Sequence, residues 1–239
     1  MCLSEAKGMD INMRKKINLL ILIISMLILN ISSSYAAEKN NPIPEDVLLN
    51  IALEALETEN NIRLQSSTMS TYFVYDFNNR DITASFKNIA YPMYASNNIN
   101  DLQCYCHNNI KKIIINTETP TMIHSDLSKT VDQRVVDILT DKNNLNLTCT
   151  VDYTVRGSIT YDPNTYQIST SSTPIIVKRI LTPSSNIYPV KTKNEVASSK
   201  IAPNKLSADF SYEFTVYGTS DFGEISYGST SCSFSISPN

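Results

Sequence analysis

The sequence predicts a mainly β protein, bordering on the α+β class, whose antiparallel sheets form a sandwich or a strongly curved core. Apolar and polar residues alternate from Leu145 to Tyr161, which is the period of a strand with one buried face. The same alternation returns between Phe210 and Ile236. A single apolar stripe at helical spacing precedes these strands and predicts one N-terminal helix.

The first 36 residues have the layout of a secretory signal peptide. The basic run Met13–Lys16 precedes an apolar segment, Ile17–Ile31, that is shorter than the span of about 20 residues that a membrane-crossing helix needs. Small residues follow, so we expect cleavage between Ala36 and Ala37. The alternative is an uncleaved N-terminal anchor. Acidic residues in front of the basic run make Met13 a second candidate for the start of translation.

Export and charge limit the partners expected for the mature chain. Removal of residues 1–36, which carry four basic and two acidic residues, changes the formal net charge from −3 to −5. An acidic chain without a basic cluster is a poor binder of nucleic acid. The residues after the apolar segment offer no cysteine for a lipid, so we expect membrane contact during export alone. The expected location is secreted, extracellular or in the cell envelope.

The mature chain is expected to form a single β-rich globular domain over residues 44–239, after a linker at residues 37–43. Pro44 suits the first turn of a helix. The apolar residues at helical spacing are Val47, Leu48, Ile51, Ala55 and Leu56. This stripe predicts a helix that packs on a sheet.

A change of period after the helix indicates the first strands. Alternation from Met69 to Phe77 resumes over residues 82–86, after the turn-forming residues 78–81, and predicts a β-hairpin. We expect a loop over residues 89–100 and a short strand over residues 110–115.

A second helix is expected near residues 130–140. Thr130 to Gln133 has the form of a capping box, and Val131, Val135 and Ile138 follow at helical spacing. Against this helix stands the abundance of β-branched residues, which favour strands.

The last hundred residues predict two long hairpins. Gly157 is expected to mark a bulge or bend in the strand 145–161, and residues 162–165 turn the chain back into residues 166–180. The stretch 182–204 is rich in Pro, Ser, Asn and Lys and is expected to be a long surface loop, either a mobile connection or a loop for binding or processing.

The mature chain contains four cysteines, Cys104, Cys106, Cys149 and Cys232. An even number of cysteines in an exported protein indicates disulfide bonds. A bond between Cys104 and Cys106 would be strained, so we expect each to pair with Cys149 or Cys232, in an order that the sequence leaves open. This expectation treats residues 102–106 as extended. The alternative is four buried thiols.

The residues that could carry chemistry form no catalytic or metal-binding motif. Cys104, Cys106 and His107 are spaced too closely for a usual zinc site and would need His124 from a distant segment. The Ser and Asp that follow His124 are its neighbours in sequence, so the three cannot form a catalytic triad by themselves. We therefore predict no catalytic residue, no metal and no cofactor.

These observations favour a binding or structural role for the exported chain. Tyr153, Tyr161, Tyr212 and Tyr227 fall on predicted strands, where they cover the core edge or form an aromatic platform for a glycan or a peptide. We expect a non-enzymatic extracellular or envelope-associated module whose partner is an extracellular protein or glycan. The alternatives are a secreted hydrolase with a site assembled from distant residues and a toxin or inhibitor module.

Overall fold

A computed structural model of the protein describes residues 45–56, 70–123, 126–141, 147–184, 189–220 and 223–238. The predicted signal peptide, its cleavage site and His124 lie outside these residues. The helices are α1 (Glu45–Ala55), α2 (Thr83–Ala95) and α3 (Ile99–Asn109). The strands are β1 (Ser70–Tyr75), β2 (Lys112–Ile123), β3 (Asp126–Thr140), β4 (Thr148–Tyr161), β5 (Ile168–Ser171), β6 (Ile175–Pro183), β7 (Val190–Ile201), β8 (Ala208–Ser220) and β9 (Gly223–Ile236).

The nine strands form two sheets in which every pairing is antiparallel. The first sheet has the order β1-β2-β3-β4-β5, with β6 also paired to β4, and the second sheet has the order β7-β8-β9. Apolar residues of β3, β4 and β5 pack against those of β8 and β9 to form the main core. The predicted β-rich, sandwich-like class is therefore confirmed.

The centre of the sandwich is an aromatic cluster between β4 and the second sheet. The ring of Tyr153 meets that of Phe214 edge-on, with centroids 4.9 Å apart. Phe210 stacks on Phe234 at 5.2 Å. Gly157 faces Phe210 so closely that an added Cβ would lie 2.7 Å from the ring. The glycine lets β4 and β8 approach each other. Its register with Val131 is regular, and the register shifts of β4 fall at Thr154/Val155 and Thr160/Tyr161, so the expected bulge is not at Gly157 itself but on either side of it.

The other face of the first sheet carries the helices. The buried residues of α1 include Leu48, Leu49 and Leu53, and Val74 and Ile113 are fully buried on the strands. The expected N-terminal helix is thus confirmed, and of its expected stripe Leu48, Ile51 and Leu56 are buried, while Val47 and Ala55 are partly exposed. The protein consists of a helical layer, the first sheet and the second sheet.

The hairpin expected over residues 69–86 is wrong, because β1 pairs with β2 and residues 83–95 form α2. Asp81 accepts the backbone N–H of Thr83 at 2.8 Å, and the Thr83 hydroxyl accepts the N–H of Val74 at 2.9 Å. Asp81, expected in a turn, and Thr83, expected in the second strand of the hairpin, therefore lie at the junction between β1 and α2, whose N-cap residue Ile82 makes no side-chain capping bond. The loop expected over residues 89–100 is also wrong, since it lies mostly in α2 and at the start of α3.

The second helix, expected near residues 130–140, is a strand. Residues 126–140 form β3, which pairs along its length with β2 on one side and β4 on the other. A central strand satisfies its backbone on both sides, and its β-branched residues fit the pleated surface. The pairing of β3 with strands on both sides therefore outweighs the helix-capping pattern at Thr130–Gln133.

The long loop expected over residues 182–204 is mostly a strand as well. Residues 190–201 form β7, which pairs with β8, and β6 extends to Pro183. Polar composition is compatible with β7 because this strand lies at the edge of the second sheet.

Candidate functional site

The most distinctive surface feature is a groove beside the edge strand β9. Strand β9 crosses over β3, where the Thr230 hydroxyl donates to Asp137 at 2.9 Å, and the first sheet continues beyond it as β2 and β1. The resulting groove contains two cavities of about 480 and 200 Å³, which share Tyr75, Ile114 and Ser233. One wall is β9, and the floor is the face of β1 and β2 that the second sheet covers only in part, with Ile114 at the margin of the main core and Phe73 38% exposed.

The register of the first sheet gives the groove floor three rows of side chains. Tyr75, Lys112 and Asp137 form a polar row across β1, β2 and β3. Phe73, Ile114 and Val135 form an apolar row beside it. Thr71, Asn116 and Gln133 form a second polar row. Successive rows are two residues apart, which is about 6.6 Å along a strand.

Asp137 is buried against β9 with one of its oxygens lacking a partner. The residue is 4% exposed, and its Oδ2 accepts the Thr230 hydroxyl, which also lies 3.3 Å from the Tyr153 hydroxyl. Among the described residues its Oδ1 has no hydrogen-bond partner. Burial raises the pKa of Asp137, while Lys112, the Thr230 hydroxyl and Lys111 act in the opposite direction. The groove therefore contains a desolvated carboxyl group ready to accept a hydrogen bond.

Gln133 repeats this arrangement four residues away on the same face of β3. It is 2% exposed, and its Nε2 donates to Asn116 Oδ1 at 2.9 Å. Its Oε1 is buried, and no residue that the structure describes is its hydrogen-bond partner. The two unpaired acceptors, Asp137 and Gln133, are about 13 Å apart along the strand.

Two lysines stand at the Asp137 end of the groove. Lys111 Nζ donates to Asn79 Oδ1 at 3.1 Å, and Lys112 Nζ donates to the carbonyl oxygen of Ser231 at 2.8 Å. Within the described ranges neither lysine forms an ion pair with a carboxylate. This end of the groove thus combines positive charge with a buried acceptor.

The free edge of β9 directs backbone groups into the groove. The carbonyl oxygens of Ser231 and Ser237 point away from β8, since they accept hydrogen bonds from Lys112 and Lys129. In an antiparallel strand the N–H and C=O of one residue point to the same side, and the side alternates along the chain. Because β8 and β9 pair regularly here, the N–H and C=O of Ser233 and Ser235 also face the groove.

The four cysteines are free thiols in the structure. Cys104 and Cys106 lie on α3, so the extended geometry assumed for residues 102–106 is wrong. Burial raises the pKa of Cys106 to about 12 and those of Cys149 and Cys232 to about 11, which disfavours the reactive thiolate. Bridges from Cys104 and Cys106 to Cys149 and Cys232 are absent from the structure, and their formation during export stays a prediction.

His107 contacts a backbone carbonyl, and the four tyrosines singled out in the sequence are buried in the core. His107 Nδ1 lies 3.4 Å from the carbonyl oxygen of Ala55, beside a small cavity of about 280 Å³. The four tyrosines considered for an aromatic platform, Tyr153, Tyr161, Tyr212 and Tyr227, are all buried, so the platform is wrong. In the part of the chain that the structure describes, no group of His, Cys, Asp and Glu is arranged to hold a metal ion.

Sequence reasoning missed the groove because it assigned β3 to a helix. On a strand, residues 131, 133, 135, 137 and 139 share one face, and Gln133 and Asp137 interrupt an otherwise apolar row. Polar residues on the buried face of a central strand would have indicated a buried polar site.

Family models, curated proteins and solved structures were compared with the chain, and none of them matches it. None of the helices among the described residues is long and apolar enough to cross a membrane.

Proposed function

We propose that the protein is an exported, non-enzymatic binding protein, located outside the cell or in its envelope, whose groove beside β9 holds a macromolecular ligand. One observation carries this proposal: Asp137 and Gln133 each bury an unpaired acceptor, and both face the same groove. Buried polar atoms are hydrogen-bonded in more than about nine cases in ten. Two such atoms on one groove support a ligand that supplies their donors.

The energetic argument concerns the unbound groove. A buried acceptor without a donor destabilises a fold by about 1–3 kcal/mol. A ligand that donates to Asp137 and Gln133 removes this penalty, so that part of the binding free energy is already stored in the fold. Phe73 and Ile114 between the polar rows supply apolar contact area.

Binding without turnover fits the groove better than hydrolysis. The described residues that line it include serines and two threonines but no histidine to activate them. Cys232 keeps its proton at neutral pH, because burial raises its pKa to about 11. The hydrolase alternative would rest on His107 or His124; His107 contacts a backbone carbonyl away from the groove, and His124 lies outside the described residues.

The export part of the proposal rests on residues 1–36. Their basic, apolar and small-residue order is that of a signal peptide cleaved after Ala36. N-terminal sequencing of exported protein is expected to read Ala37 first, and a start at Met1 or Met13 in that fraction would contradict export by cleavage.

Site-specific photo-crosslinking in the producing cells tests the binding groove. The photoreactive residue p-benzoylphenylalanine is placed at Phe73, which is 38% exposed in the groove, and, as a control, at Val196, which is 61% exposed on β7. We expect a discrete adduct from position 73 and none from position 196. Adding Asp137→Ala to the position 73 variant is expected to abolish the adduct while the circular dichroism spectrum is retained.

The same experiment separates binding from catalysis. Mass spectrometry of the released adduct is expected to find an intact ligand. Equal adducts at both positions, or no adduct at position 73, would contradict the groove. A ligand recovered only as cleaved fragments would favour the hydrolase.

A further inference from the structure

We infer that the ligand of the groove is an extended polypeptide segment, which pairs with the free edge of β9 as a fourth strand of the second sheet. This inference rests on the proposed function and names its ligand class. An exposed strand edge recognises a peptide through main-chain hydrogen bonds, and pockets for alternate side chains then select its sequence.

The open part of the β9 edge has the length and polarity that a short added strand needs. Ser233 and Ser235 direct their N–H and C=O into the groove, and no described residue accepts or donates a backbone hydrogen bond there. Lys112 and Lys129 already occupy the carbonyl oxygens of Ser231 and Ser237. Lysines often protect strand edges in this way, and here they leave the central segment between them open.

The groove floor selects the side chains of such a strand. Side chains of a strand that point to one face are two residues apart, about 6.6 Å, which matches the spacing of the three floor rows. The middle row, Phe73 and Ile114, suits an apolar side chain. The outer rows present Asp137 and Gln133, whose unpaired acceptors each require a donor.

Charge and hydrogen-bond complementarity at the Asp137 end refine the ligand further. Lys112 offers an ammonium group and Asp137 offers an acceptor in the same row, so a side chain that both accepts and donates fits best. Hydroxyl and carboxamide side chains do so. The expected groove-facing pattern is therefore Ser, Thr, Asn or Gln, then an apolar residue two positions later, then a second such polar residue.

A peptide-display experiment tests the ligand class. Phage carrying random dodecapeptides are selected on the mature protein, residues 37–239, and individual selected peptides are synthesised and titrated by fluorescence anisotropy. We expect selected peptides to share the polar, apolar, polar pattern at alternate positions. We also expect them to inhibit the photo-adduct at position 73.

The edge of β9 is tested with a matched pair of variants. Ser233→Pro removes the outward N–H and is tolerated in an edge strand, whereas Ser233→Ala keeps the N–H and removes only the hydroxyl. We expect Ser233→Pro to weaken peptide binding at least about tenfold, the loss of roughly one or more main-chain hydrogen bonds. Ser233→Ala is expected to change it less than about twofold. Ser235→Pro provides a second test should Ser233→Pro fail to fold.

The outcomes separate this inference from the proposed function. If position 73 still forms an adduct but the adduct is a glycan, or if both proline variants bind selected peptides as the wild type does, the polypeptide inference is wrong and the binding groove stands. Selection of no peptide would likewise overturn the inference. Self-association abolished by Ser233→Pro would instead assign the groove to a second copy of the chain.

Discussion

The two edges of the second sheet are built on opposite principles. At the β7 edge, Glu195 accepts hydrogen bonds from the Tyr212 hydroxyl at 2.6 Å, from Arg179 at 2.5 Å and from the Thr192 hydroxyl at 3.0 Å. At the β9 edge, buried acceptors of Asp137 and Gln133 lack partners. At the first edge, here called the closed edge, the protein itself completes the hydrogen bonds of the Glu195 carboxylate, one of them from Arg179 of β6. At the second edge we propose that a ligand completes them.

The closed edge depends on an irregularity in β7. The register between β7 and β8 shifts between Lys193 and Val196, and Asn194 adopts a left-handed φ of 56°. A bulge of this kind redirects a side chain. Here Glu195 reaches both Tyr212 of its own sheet and Arg179 of β6, so the two sheets are tied together at this edge. The comparison suggests different roles for the two edges: polar groups at the β7 edge contribute stability, whereas we propose that those at the β9 edge bind a ligand.

Overpacking of the centre that both edges share is expected to give the largest effect. Gly157→Val places a branched side chain where even a Cβ lies 2.7 Å from the Phe210 ring. We expect the free energy of unfolding to fall by about 1–3 kcal/mol, with Gly157→Ala falling less. Urea denaturation measures both, and equal stability of all three proteins would contradict the close approach of β4 and β8.

Removal of charge at the closed edge is expected to have a smaller, pH-dependent effect. Hydrogen bonds from Tyr212 and Arg179 lower the pKa of Glu195 from 4.5 to about 2. Because Glu195 is partly exposed, we expect Glu195→Gln to lower the free energy of unfolding by only about 0.5–1 kcal/mol at pH 7. A lowered pKa in the folded state stabilises the fold above the unfolded pKa, and this contribution is lost as the pH falls toward 2.

The difference between wild type and Glu195→Gln is therefore expected to shrink between pH 4.5 and pH 2. Urea denaturation at pH 7, 4 and 2.5 measures it. Glu224→Gln, which removes the exposed ion pair with Lys193, is the control and should change stability less at every pH. A difference that grew on acidification would show that Glu195 does not close this edge.

The smallest stability change, with the opposite sign, is expected in the groove. Gln133→Leu removes a buried acceptor that has no partner, and the Asn116 amide that it contacts remains open to the groove. We expect the free energy of unfolding to stay constant or rise by up to about 1 kcal/mol, while peptide binding falls. Thermal unfolding and anisotropy titration measure the two effects, with Gln167→Leu on the surface as control. A loss of stability above 1 kcal/mol would place Gln133 among structural residues.

The sequence predicted the sandwich well because its strands bury one face and expose the other. The alternation in β4, β8 and β9 comes from this geometry and can be counted residue by residue. The pattern fails at β3, a central strand on which Val135 and Val136 are buried on opposite faces and where Thr130 imitates a helix cap. It also fails at residues 83–95, where Asp81 and Thr83 lie at the junction between β1 and α2 instead of within a hairpin.

The groove was beyond sequence reasoning for a related reason. Its walls come from β1, β2, β3 and β9, which are far apart along the chain and meet only through pairing and sheet packing. The short second sheet, which ends at β9 and covers β1 and β2 only in part, is a property of topology and has no local signature. The role proposed for Asp137 and Gln133 can be recognised only once the position of the groove floor is known.

Amide hydrogen exchange along β9, followed by NMR, tests the open edge most directly. The N–H groups of Cys232 and Phe234 point toward β8 and those of Ser233 and Ser235 toward the groove. In the free protein we expect slow exchange at 232 and 234 and fast exchange at 233 and 235, and a bound peptide should slow the latter pair. Equal protection of all four amides in the free protein would mean that the edge is already covered, and would contradict the account.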